Sequence, residues 1–177
     1  MENMNNQEAM LGHLNEHNSS RLSPHFTLGE LCKTSVKSLD GNIPSHESIE
    51  NLKRLCPWLE ELRKRYNERY VFEEGEYSKS REEPIVISSG YRSPEVNKCV
   101  GGAYSSNHLT GCAVDIRCAG VEQALRYAVI LLDYADESKQ DFDELLIERN
   151  RMGHYWVHFA VRPRTEGNRR RTMFIQA

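Results

Sequence analysis

The sequence predicts an α+β fold with a mainly antiparallel sheet. Three observations predict it. A long helical period of apolar residues comes first, from Ser45 to Tyr70. Strand runs interrupted by helical segments follow, from Pro84 to Tyr134. Two further strand runs then flank a short connection, Arg149 to Gly153, which marks a hairpin.

With 177 residues the chain suits one domain, large enough to bury a core without disulfides. Residues 1–22 lack an apolar period and are expected to form a flexible N-terminal arm, leaving 23–177 as the folded domain. His25 to Ser35 predicts a short helix, with Thr27 as cap and Glu30 three residues on. In the long helix Ile49, Leu52, Cys56, Leu59, Leu62 and Tyr66 recur at three and four, and Pro57 is expected to kink or split it. The charged stretch Val71 to Glu83 has no period and predicts a surface loop.

Ile85, Val86 and Ile87 predict a buried strand. Ser93 followed by Pro94 predicts a helix start, and Gly101-Gly102 a prompt stop. Cys112 to Ile116 predicts a second strand. Val121 to Tyr134 predicts a helix with Ala124, Leu125, Ala128, Leu131 and Leu132 inward. Phe142 to Glu148 and His154 to Val161 form the hairpin, and Thr172 to Gln176 can add an edge strand.

Composition excludes several functions. The net charge is −3 with both signs mixed, which argues against nucleic-acid binding. Five arginines between Arg162 and Arg171 are the exception, as a solvated terminal loop or as a patch that meets an anionic surface. No apolar run approaches the roughly eighteen residues of a membrane span, so no membrane insertion is expected. The polar N-terminus has no basic start and apolar core, so the chain is expected to be cytoplasmic as synthesised. Five cysteines without a CxxC pair, and no export signal, predict buried reduced thiols.

The stretch SSNHLTGCAVDI places His108 seven residues before Asp115. Alternation along the later strand points His154, Trp156, His158 and Ala160 to one face. If that strand packs beside Cys112 to Ile116, His158 meets Asp115. His154 lies about 13 Å further along and should not share an ion with His158. Two histidines and a carboxylate make a catalytic zinc set with one position left for water. Such a site needs a nearby carboxylate to take a proton; Glu148 is the candidate and Glu144, on the same strand face, the fallback. Spacing alone leaves open a surface pair or a simple hydrogen bond.

The series Ser89-Gly-Tyr-Arg-Ser93, Asn97, Gly101-Gly102-Ala103, SNHLTGCAVDI, FDELLIE and WVHFA, in that order, resembles the zinc D-alanyl-D-alanine carboxypeptidases. That family includes the L-alanyl-D-glutamate endopeptidases of phage lysins, and its fold is similar to the zinc domain of hedgehog proteins. The resemblance spans about residues 24–174. It implies Zn2+ on His108, Asp115 and His158. It implies that Ser106 hydrogen-bonds substrate, and that Arg92 holds a substrate carbonyl or carboxylate and the developing oxyanion. Glu148 matches the acid ending the FDxLIxE-like strand of relatives and is then the proton acceptor. Where relatives carry a histidine or an acid just before the last ligand, this chain has Trp156 and Tyr155.

The implied activity is hydrolysis of peptidoglycan stem peptides, with the bond cut left open between carboxypeptidase and endopeptidase types. A chain without an export signal would reach the cell wall after release or by non-classical export. The alternative is a zinc-bearing module that binds cell wall or protein without cutting. Arg92, Ser106 and Glu148 could instead serve a salt bridge, a cap and a solvated hairpin end. Oligomeric state is not legible in the sequence.

Overall fold

The computed structural model describes residues 20–72 and 82–176. Residues 1–19 of the expected arm (1–22) and loop positions 73–81 lie outside the described residues. At the edge of that arm, Ser20 and Arg21 already join the domain. Leu28 N donates to Ser20 O at 2.8 Å, and Arg21 bridges Thr27.

Helix α1 (Leu28–Leu31) is held by the expected capping box, with Thr27 and Glu30 exchanging hydrogen bonds. Helix α2 (His46–Tyr70) starts at a Ser45 cap and runs unbroken through Pro57. The expected split does not occur. Pro57 and Lys53 both lie on the exposed side, so the Lys53 carbonyl that loses its helical donor can be solvated.

Strand β1 (Ile87–Ser89) begins two residues later than expected. Ile85 is buried but unpaired, a core contact rather than a ladder residue. Helix α3 (Pro94–Cys99) starts on a Ser93 cap with Pro94 in its first turn. A 3-10 turn (Asn107–Thr110) leads into β2 (Ala113–Cys118). Helix α4 (Val121–Ser138) runs one turn past its expected end, and Leu125 faces solvent while Tyr127 and Ile130 are buried. The hairpin is β3 (Glu144–Arg149) with β4 (Tyr155–Ala160), and β5 (Arg171–Gln176) closes the edge.

The five strands are ordered β1-β2-β4-β3-β5. Three pairings are antiparallel, and β5 runs parallel to β3, giving a mixed sheet. The sheet's two faces have different uses. Val114, Ile116, Leu145, Ile147, Val157 and Phe159 pack against α2 and α4. Trp58 of α2 is the centre of that layer, with Tyr134 and Phe159 rings at 4.9 and 5.2 Å. Each such buried side chain contributes roughly 1.5–3 kcal/mol. Alternation leaves Asp115, Arg117, Glu144, Glu148, Trp156 and His158 for the opposite face. Among the described residues no helix is long and apolar enough to cross a membrane.

Gly111 explains the spacing between His108 and Asp115. It ends the 3-10 turn at φ 73°, and a Cβ there would stand 2.5 Å from the Ser48 carbonyl of α2. Chain reversal and close approach to α2 therefore both need glycine. Gly111→Ala is expected to lower unfolding free energy by about 2 kcal/mol or more, from left-handed strain plus the clash. Urea titration checks this; a loss below about 0.5 kcal/mol would show that the turn readily shifts away from α2.

Candidate metal centre

The turn that carries His108 is fixed from several sides. Ser106 Oγ accepts from His108 N at 3.3 Å, Arg92 N donates to His108 O at 3.0 Å, and Asn51 of α2 donates to Thr110 O at 2.9 Å. Asp115 sits on β2 directly opposite His158 on β4. His108, Asp115 and His158 are all buried, at 2%, 7% and 7% exposure. His108 Nε2 and His158 Nδ1 are 3.2 Å apart, and they lie 3.2 and 3.0 Å from Asp115 Oδ1. These three residues form a group that could hold a metal ion.

The remote ring atoms set the orientation. A carbonyl only accepts, so His108 Nδ1 donates to Gly90 O, at 2.6 Å, and turns Nε2 to the centre. His158 Nε2 lies 3.3 Å from Glu144 Oε2, which turns Nδ1 the same way. Ligand atoms about 2.05 Å from a tetrahedral zinc stand roughly 3.3 Å apart, close to the separations here. Donor chemistry, burial and spacing therefore fit a small divalent ion.

Asp115 is the charge centre of the group. Burial would push its carboxyl up, but the neighbouring imidazoles hold it far below the usual carboxylate range. Arg92 Nη2 donates to Asp115 Oδ2, and Arg92 Nε donates to Ser89 Oγ at 2.8 Å. Arg92 is thus anchored by the salt bridge the sequence left open, yet it still borders a 580 Å³ cleft above the triad. Ser106 likewise serves as a cap and borders the same cleft.

The two glutamates differ in setting. Glu144 accepts from His158, from Asn107 at 3.0 Å and from Arg169 at 2.8 Å. The His158 hydrogen bond, working against burial, holds its pKa near about 2. Glu148 borders the cleft, and burial pushes its carboxyl above the ordinary value, while the charge of His158 and a hydrogen bond from Trp156 partly offset this. A carboxylate drawn toward neutrality is the better proton acceptor. Trp156 is half-buried and forms a wall of the cleft; His154 is exposed and stands apart from the triad.

Sequence reasoning missed Asp143. Its side chain is fully buried and meets Arg162 and Arg169 at 3.0 and 2.7 Å, while Asn107, next to His108, donates to it at 2.8 Å. The arginine-rich tail is mostly exposed, as expected of a solvated segment, but ion pairs hold most of its arginines, so it is not a free patch. Arg162 and Arg169 pair with Asp143, because a buried carboxylate needs charge-assisted partners, while Arg171 pairs with Glu144 and Arg170 with the exposed Asp136 and Asp141. An acid inside a predicted apolar strand, followed by an unexplained run of arginines, was the available signal. All five cysteines are free; Cys56, Cys112 and Cys118 are buried as expected, whereas Cys32 is only partly buried and Cys99 is exposed.

Without metal, burial disfavours charge on His158, but its hydrogen bonds to Asp115 and Glu144 prevail and raise its pKa from 6.5 to about 9. A folded-state value above the unfolded one stabilises fully below the unfolded value and loses that contribution as pH rises through the folded one. Chelator-treated protein is thus expected to lose stability between pH 6.5 and 9. In metal-loaded protein the ion replaces that proton, and this decline should vanish. Thermal midpoints with and without metal across the interval check it; parallel curves would contradict it.

Residues 75–134 match the family model described as Peptidase M15, whose members are zinc-dependent. This supports a zinc metallopeptidase. The matched segment holds Arg92, Ser106, His108 and Asp115, while Glu144, Glu148 and His158 lie beyond it. No curated protein matches the chain.

Proposed function

We propose that this chain is a zinc peptidase that hydrolyses stem peptides of bacterial peptidoglycan, acting at the cell wall after release or export. The observation that carries the reading is the convergence of three buried donor atoms beneath a cleft that also holds Glu148 and Arg92. His108, Asp115 and His158 would hold the zinc, which when bound supplies Lewis acidity toward a carbonyl and toward water.

The chain's own residues do the rest. Glu148 takes a proton from the attacking water and delivers it to the leaving amine. Arg92, fixed through Nε and Nη2, presents its remaining donors to the negative charge that develops on the carbonyl oxygen. Ser106 offers its hydroxyl proton to the substrate while its lone pair caps the turn. Gly90 and Glu144 keep both imidazoles in place.

The test is a digest of defined muropeptides by zinc-loaded protein, read by mass spectrometry. Loss of one terminal alanine means a carboxypeptidase, and a split after the first L-alanine an endopeptidase. Bound zinc and cell-wall affinity with no product would overturn the peptidase reading in favour of a non-catalytic binding module.

A further inference from the structure

The face of the sheet that bears the triad continues past it. On β2, Arg117 shares the face of Asp115 and lies opposite Trp156 of β4, two register positions beyond Asp115 and His158. Trp156 borders the cleft above the triad, and it also borders a second cavity of 760 Å³. That cavity takes in Arg117, His154 and Ser88, with the Tyr127 ring as part of its wall. The indole thus stands between two neighbouring compartments.

Arg117 differs from the arginines around the triad. Arg92, Arg162, Arg169 and Arg171 are each held by an acid. Arg117 is exposed, and among the described residues its guanidinium has no ion pair or hydrogen bond. Glu83, on the same cavity, forms no ion pair with it among the described residues. A cation of this kind beside an aromatic wall suits a ligand with a carboxylate on a short aliphatic stem, since the guanidinium fork matches a carboxylate.

The spacing fits a peptide. Arg117 lies two residues from Asp115, or about 6.6 Å along the strand, and two residues of an extended ligand cover the same length. A substrate laid along β2 with its scissile bond at the triad therefore brings a neighbouring side chain to Arg117. We infer that the Arg117–Trp156–His154 compartment is a subsite for an acidic residue of the substrate, located two residues from the bond cut. Arg117 pairs with the carboxylate and Trp156 flanks its stem. This rests on the peptidase reading and assigns Arg117 to it as a specificity-determining residue.

The test uses zinc-loaded full-length protein and two pairs of peptides. Each pair differs only by Glu or Gln, placed two residues before or two residues after the cleaved bond. Wild type is expected to favour Glu in one pair by about fivefold or more in kcat/KM, mainly through KM. In Arg117→Gln that ratio should fall to near one, and Arg117→Lys should restore part of it. A ratio that is the same in wild type and Arg117→Gln overturns the subsite. If wild type cleaves no peptide, the peptidase reading has failed separately. Calorimetric binding of the same pairs then decides the subsite: a Glu preference that Arg117→Gln removes supports it, and equal affinities overturn it. Arg117 is exposed, so an unchanged melting midpoint will show that the variant folds.

Discussion

Asp115→Ala is expected to remove metal binding and, with it, all measurable peptide hydrolysis. Asp115 Oδ1 faces both imidazoles, and Oδ2 takes the Arg92 guanidinium. Removing this one carboxylate takes a ligand from the ion and the counter-charge from the Arg92 guanidinium at once. Breaking a buried charged pair by deleting one partner costs about 3–5 kcal/mol, so the variant should also melt earlier. Asp115→Asn separates the two effects. It keeps the volume and an acceptor for Arg92, so it should melt later than Asp115→Ala, but a neutral amide is a weak zinc ligand. Metal content by elemental analysis, read beside the muropeptide digest, checks both variants. A full equivalent of zinc retained in Asp115→Ala would remove this residue from the ligand set.

The meeting of Asp115 and His158 was open to the sequence through strand alternation, whereas His108 joined them there only through the family resemblance. Strand alternation alone places Trp156 and His158 on one face, and the β2–β4 register then sets His158 opposite Asp115. Gly111 stands out in the sequence only as a glycine between His108 and Asp115; its positive φ and its close approach to Ser48 come from the structure. Errors arose where burial and pairing diverge. Ile85 reads as strand because it is apolar and buried, but its backbone lies outside the ladder. Pro57 reads as a helix breaker, but it stands on the solvent side where a lost hydrogen bond costs least.

The supporting residues were hidden for a different reason: their partners are distant in the chain. Glu144 appeared as a spare base, yet His158, Asn107 and Arg169 all engage it. Asp143 and the late arginines form one network, which no window of the sequence contains. Gly90 acts through its carbonyl, an atom every residue has, so its contact with His108 leaves no signature in residue type. What residue type does explain is the absence of a side chain there, because a Cβ would stand 2.1 Å from the Leu31 carbonyl.

Glu148→Gln is expected to leave one zinc bound and to lower turnover by about 10²–10⁴-fold, the usual contribution of a positioned general base. The triad does not depend on Glu148, whose carboxylate contacts Trp156 rather than a ligand ring. Glutamine keeps its size and an acceptor for the indole, but it cannot take a proton. Glu144→Gln provides the contrast. It weakens the anionic acceptor that orients His158 Nε2, so metal affinity should fall about 10–100-fold. At saturating zinc its turnover should then exceed that of Glu148→Gln by a wide margin. The two carboxylates lie on the same face of β3, four residues apart, and differ chiefly in what surrounds them. Glu144 is bound on several sides and held at low pKa, which suits orientation; Glu148 is pushed upward by burial, which suits proton transfer. If Glu144→Gln instead stops turnover with zinc in place while Glu148→Gln remains active, the two roles are exchanged.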